Sequence, residues 1–242
     1  MKIRIIASVI ISASLLSSGA IAQRTPSVTF GFGEVIEPKK HDVDYDIIGI
    51  KIGMTPAEVK EKLKELYAES SIEEIKVHFG NQEIQSEPFI DEISADTYQE
   101  GRTKVYFTTP KLGNRVKYVE RHIVFNPEKP RPDVSHLNKI TAEKYGIVED
   151  SVEGQYNLGQ FWSSNNCKAE KSSSEIRLPE DNCDAAVASN IYFHSGNKND
   201  KATFLNLKMR DVANSKLDND EKQKLFENEL NKHRQNQGDT KF

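Results

Sequence analysis

Hydrophobic and polar positions follow three rhythms along this chain. The first is at the amino terminus, where Lys2 and Arg4 precede an apolar stretch from Ile5 to Leu16 that closes on Ala20-Ile21-Ala22. A positive start, a short apolar centre and an A-x-A exit are the parts of a secretory signal peptide, so residues 1–22 are expected to be removed before Gln23. The stretch is shorter than the ~20 apolar residues of a spanning helix, and no Cys follows it to carry a lipid. The mature chain is therefore expected in the periplasm or outside the cell, with no stable membrane insertion.

The second rhythm has a period of two. Ile48, Ile50 and Ile52 alternate with Gly49 and Lys51, the mark of a half-buried strand. Similar alternation predicts strands over 72–79, 103–108, 117–125, 156–162, 187–194 and 203–209. Residues 110–114 suit a hairpin and 196–200 a turn. Residues 80–101 read as an irregular acidic loop.

The third rhythm is helical. Thr55 can cap a helix, Pro56 suits its first position, Glu58 completes a T-x-x-E capping box and Met54 can staple against Val59. Val59, Leu63 and Leu66 then share a face. After the prolines at 127, 130 and 132, Asp133 is expected to cap a second helix with Val134, Leu137 and Ile140 on one face. Gly146 would stop it in a left-handed conformation. Helix followed by antiparallel strands thus occurs twice. The expected fold is α+β, an antiparallel sheet with helices packed on one face. Residues 46–126 and 127–210 are read as tandem helix-plus-strands units. Residues 23–45, interrupted by Gly31, Gly33 and Pro38, read as a flexible lead-in. Residues 211–242 spread Leu217, Leu225, Phe226 and Leu230 among charges and read as a weakly docked polar helix, disordered from Gln235.

Removing the signal leaves 242 − 22 = 220 residues with a charge of 31 − 37 = −6, which argues against nucleic acid as a partner. A mean hydropathy of −0.64 with 36% hydrophobic residues suits thin layers with one wet face. Cys167 and Cys183 are the only cysteines, and in an oxidising compartment they are expected to form a disulfide.

The run from Gly49 through Gly53-Met54-Thr55 to Val59 resembles the G-x-x-x-G-M-[ST]-x-x-x-V helix entry of small envelope proteins, the SmpA/OmlA outer-membrane assembly lipoproteins and the β-lactamase inhibitor protein. The Lys144-Tyr145-Gly146 helix end is similar to theirs. The resemblance implies a helix-on-sheet module that binds proteins and catalyses nothing. This chain differs in its greater length and in lacking an acylated Cys.

No G-x-S-x-G, H-E-x-x-H, P-loop or dinucleotide fingerprint occurs, so no catalytic residue and no cofactor are assigned. The six histidines are scattered, and the one conceivable zinc set is Glu120, His122 and His194. Strand parity places Cys183, Ala185, Val187, Ser189, Ile191 and Phe193 toward the helices, although Ala186 and Ala188 blur the sorting. The opposite face would display Tyr106, Tyr118, His122, Tyr192 and His194 as a candidate binding face for an envelope protein. The alternative is that these tyrosines make cross-strand pairs or lie beneath the C-terminal helix. Trp162 beside Phe161 is expected in the core. An envelope hydrolase and a small-molecule carrier are the competing functional readings.

Overall fold

The computed structural model describes residues 28–97, 101–164, 167–172, 175–194 and 200–239. The signal segment, most of the 196–200 turn and the last three residues lie outside these. The capping chemistry predicted at Thr55 forms in full. The Glu58 amide donates to the Thr55 hydroxyl, and the Thr55 amide donates to the Glu58 carboxylate at 2.7 Å, starting α1 (Pro56–Lys64). Val59 and Leu63 are completely buried. Leu66, expected beside them, lies past the helix end and is 40% exposed, and Tyr67 takes the inward place.

The isoleucine run before α1 is not one strand. β1 (Val28–Phe30) precedes it, and the run itself folds into β2 (Asp46–Ile47) and β3 (Ile50–Lys51), joined through Ile48 at φ +53° and Gly49 at φ +77°. Two successive positive φ values are what a two-residue hairpin of matching twist requires. The Gly49 amide donates to Asp46 Oδ1 at 2.7 Å and closes the turn.

β4 (Ile72–Val77) is followed by β5 (Ile84–Ser86), which pairs in parallel with β1, and by β6 (Phe89–Thr97). The expected acidic loop at 80–101 therefore contains a nine-residue strand. A bulge at Asp91 interrupts its alternation, so the period-two signal is lost. β7 (Gly101–Phe107) and β8 (Val116–Val124) complete an antiparallel meander, with a second bulge at Lys117.

The second half repeats the plan. α2 (Val134–Tyr145) leads to β9 (Asp150–Glu153), β10 (Asn157–Ser163), the short β11 (Glu170–Lys171) and β12 (Ile176–Arg177), then β13 (Ala185–Phe193) and β14 (Ala202–Asp211). Asp133 does not cap α2 with its side chain; it pairs with Lys201 at 2.8 Å. Ile140 is 41% exposed, and Thr141 points inward instead. Gly146 ends α2 at φ +90°, with ψ at −149° in place of the left-handed helical value. Thr55, Val59, Leu63, Tyr67 and Ile72 correspond to Asp133, Leu137, Thr141, Tyr145 and Asp150, each 78 positions on (133 − 55).

The two meanders join into one eight-stranded antiparallel sheet of order β4-β6-β7-β8-β14-β13-β10-β9. Both helices cover the same face. Val59, Leu63 and Tyr145 pack with Val105, Phe107, Val119, Trp162, Val187 and Met209, while Val134 and Leu137 pack with Ile191, Phe193 and Leu205. Trp162 is core as expected, and its indole donates to the Gly146 carbonyl at 3.1 Å.

Between β10 and β13 the chain leaves the sheet as a flap and lies back on the opposite face. Cys167, Ile176 and Leu178 of the flap pack on Phe161, Ala186 and Ala188. The Asn190 amide holds both backbone groups of Ile176, donating to its carbonyl at 3.0 Å and accepting its amide at 3.1 Å. Gly159 lies directly beneath; a Cβ there would meet Asn190 Oδ1 at 2.9 Å and the Ile176 Cβ at 3.2 Å. The Cys167–Cys183 disulfide forms as expected and closes the excursion, a constraint of ~3 kcal/mol for a loop of this size in the chain-entropy model.

The polar carboxy-terminal segment folds as α3 (Val212–Asp239), which crosses the ends of β13, β14 and β8. Its docking is anchored by a charge and is not weak. Asp218 is fully buried; Oδ1 accepts from the Thr109 amide at 2.8 Å and the Thr109 hydroxyl at 2.6 Å, and Oδ2 pairs with Lys117 at 3.1 Å. Phe226 meets Phe79 edge-on at 5.6 Å further along. Helix continues beyond Gln235, where disorder was expected.

Two stability outcomes follow from this packing. Asp218→Ala leaves Lys117 and Thr109 facing an emptied site and is expected to cost about 3–5 kcal/mol in urea unfolding, with Asp218→Asn costing less because it still accepts from Thr109. A loss under about 1 kcal/mol for the alanine variant would show that the anchor is dispensable. Gly159→Ala is expected to cost about 1–3 kcal/mol by pushing Ile176 off the sheet, read by the same unfolding and by faster proteolysis within the flap.

Candidate functional site

Successive strand side chains point to opposite faces, so the neighbours of the buried Val105, Val119, Val187 and Met209 define the outer face. The register aligns them in rows across the sheet. One row is Phe161, Ala188, Lys208, Glu120, Lys104 and Ser94. The next, nearer α3, is Ala186, Arg210, Tyr118, Tyr106 and Glu92. The flap seals the β10–β13 end of these rows, which explains why Ala186 and Ala188 sit on a face otherwise polar. The flap reaches as far as β14 and β8, where the Arg210 guanidinium donates to the Pro179 carbonyl at 3.3 Å and Tyr118 packs against the flap cluster. Over β6 and β7, none of the clusters formed by described residues roofs the rows.

Tyr106 lies on this uncovered part and Tyr118 at its border with the flap, both half-buried, as a cross-strand pair with ring centroids 5.6 Å apart. Lys104 Nζ is 5.8 Å from the Tyr106 ring and the Arg210 guanidinium 5.5 Å from the Tyr118 ring, each within cation–π range. Lys104 also pairs with Glu92 at 3.2 Å, and Lys208 with Glu120 at 3.5 Å. Burial pushes both phenols above their ordinary range; for Tyr118 Glu120 adds to this, and for Tyr106 Glu92 does. Both remain neutral hydroxyls that can donate or accept.

Tyr192 is placed differently. Its hydroxyl donates to Glu175 at the rim of the flap, and its ring stacks on Phe204 at 3.9 Å. Phe204 in turn lies 5.1 Å from the ring of His122. Tyr192 and His122 therefore bracket a cross-strand aromatic ladder whose Tyr192 end is tied to the flap. His194 falls just past the end of β13 and is exposed, two rows from His122. Among the described residues no three histidine, cysteine or carboxylate side chains come together to hold a metal, so Glu120, His122 and His194 are not assembled as a zinc set.

Several members of the face were not singled out by sequence. Glu92 belongs to the strand hidden in the apparent loop, although Ile93 and Ala95 alternating with Glu92 and Ser94 is a usable signal. Arg102, Lys208 and Arg210 alternate with apolar neighbours in strands that were recognised, but basic side chains at such positions read as ordinary solvated residues. Two hollows of about 370 Å³ each lie between α3 and residues 180–184, one of them reaching Arg210 at the edge of this face. Lys216 and Asp220 line both, and neither holds a histidine. No helix among the described residues is long and apolar enough to cross a membrane. Comparison with family models, curated proteins and solved structures finds no match for this chain.

Proposed function

We propose that this chain is an exported, non-catalytic protein-binding module of the cell envelope, and that it docks a partner protein on the uncovered part of the outer face. The observation that carries the reading is the difference between the two halves of one face. Over the second half the chain covers its own strands with a disulfide-closed flap. The first half carries Tyr106, paired with Tyr118 where the flap ends, between paired charges, and beyond Tyr118 it has no equivalent cover among the described residues.

The chemistry of that area favours a protein over a polyanion. Arg102, Lys104, Lys208 and Arg210 are balanced by Glu92, Asp96, Glu120 and Glu175 at the flap rim. Tyrosine and arginine supply large, stiff contact area and are enriched where protein surfaces meet. The resemblance of the α1 entry to small envelope proteins that bind other proteins points the same way. Export is supported by the leader-like residues 1–22, and the disulfide fits an oxidising compartment.

A photo-crosslinking amino acid placed at position 106 in the exported full-length protein tests the site. It is expected to trap one envelope protein in near-stoichiometric yield, and the same group at the exposed Lys139 on α2 is expected to trap none. Combining Tyr106→Ala with Tyr118→Ala should cut co-purification of that partner at least tenfold in protein that keeps its native circular dichroism. Equal trapping at 106 and 139, or full retention by the double variant, would place the activity elsewhere.

A further inference from the structure

We propose that residues 33–44 are a pH-sensitive strap, clamped to the start of α3 while His41 carries a proton and slackened when the imidazole loses it. This inference is independent of the docking face. The segment lies between two apolar anchorages. Phe30 and Phe32 are buried before it, with Phe32 edge-on to Phe89 at 5.2 Å, and Ile47 is buried after it. Between them no apolar side chain is buried, and Val35 is 58% exposed. Polar ties do the holding. The Ile36 amide donates to the Lys111 carbonyl at 2.7 Å, and Lys111 Nζ donates to the Glu34 carbonyl at 2.8 Å.

The remaining ties converge on the first turn of α3. Lys39 and Asn214 exchange a reciprocal pair, the Lys39 amide donating to Asn214 Oδ1 at 2.8 Å and Asn214 Nδ2 to the Lys39 carbonyl at 2.9 Å. His41 Nε2 lies 2.8 Å from Asp211 Oδ1, with the two side chains only 7% and 3% exposed. Asp211 also accepts from the Asn214 amide at 2.8 Å and so caps α3. The same carboxylate thus closes the helix end and grips the strap. Water screens such a buried pair weakly, so its strength depends strongly on whether the imidazole is charged.

The charged groups facing His41 are Asp211 at the end of β14, Asp184 ahead of β13 and Lys39 in the strap itself, while α3 contributes the uncharged Asn214. Its hydrogen bond to Asp211 raises the imidazole above the ordinary 6.5, more than burial lowers it. A histidine raised in this way stabilises the folded state fully below about pH 6.5 and loses that contribution as pH climbs through the raised value. His41 Nδ1 is buried without a hydrogen-bond partner, so the ring's attachment rests on Nε2. Lys39, Asn182, Asp184, Lys216 and Leu217 line a hollow between strap, disulfide corner and α3, which a slackened strap would open.

Hydrogen exchange by mass spectrometry on the full mature chain at about pH 6 and about pH 9, corrected for intrinsic exchange, tests the strap. Peptides over 34–42 are expected to lose protection severalfold at the higher pH relative to peptides from β13 and β14. His41→Gln, checked for native circular dichroism, is expected to show the lower protection at both values. Unchanged wild-type protection across the range overturns the proposal without recourse to any variant. A His41→Gln protein that keeps the full pH response overturns it as well.

Discussion

Everything in this molecule depends on the antiparallel pairing of β8 with β14. Each half builds only a four-stranded meander with one short helix against it, and a helix such as α1, nine residues long, buries little by itself. The register from Tyr118 opposite Arg210 to Val124 opposite Phe204 places Val119 beside Met209, in the middle of the shared core. Joined this way, Trp162 and Val187 of one half pack with Phe107 and Val105 of the other, and the combined apolar layer is large enough to offset the chain entropy lost on ordering. The same pairing sets the outer face, because register on one side of a sheet fixes the side chains on the other.

The two halves then diverge where function is proposed. The connection from β6 to β7 is three residues long, whereas that from β10 to β13 is a disulfide-closed excursion. A long connection inside a compact domain has to earn its order through contacts or cross-links. Here Ile176 and Leu178 supply the contacts, Gly159 permits the close approach, and the disulfide limits the entropy of the detached state. The result is one face with two chemistries, sealed and apolar at one end, aromatic and ion-paired at the other.

Much of this was legible in the sequence where local chemistry and tertiary packing agree. Thr55, Pro56 and Glu58 specify a helix start from neighbouring atoms alone, and the parity of Val187, Ile191 and Phe193 sorted the helix-facing layer of the second half. Legibility failed where one residue breaks the period. The bulge at Asp91 disguised β6 as loop, and the turn at Ile48 and Gly49 disguised a hairpin as a strand. It failed again at Leu66 and Ile140, whose spacing suits an ideal helix but whose inward places went to Tyr67 and Thr141. The lead-in and α3 were undervalued for a common reason. Both are held by buried polar groups, His41 with Asp211 and Asp218 with Thr109 and Lys117, and sequence periodicity records only apolar burial.

Those polar anchors share a logic with the bulges. A bulge turns one side chain out of the alternation, and two of the three bulges in the described part of the sheet carry a charge, Asp91 and Lys117, the third falling at Thr203. Lys117 reaches Asp218, while Asp91 is held above the ordinary carboxylate range by burial and opposed by Lys117 and Lys222. Lys222 is held below its ordinary range by burial, with Lys117 adding to the effect. An apolar seam would bind α3 with equal strength at several registers, because a mostly polar helix offers few apolar positions to discriminate among them. A buried carboxylate that must meet one amide, one hydroxyl and one ammonium admits a single register. Asp218 therefore gives α3 its position along the strand ends, and that position brings Asn214 to the strap beside Asp211, which the pairing of β14 with β13 holds in place.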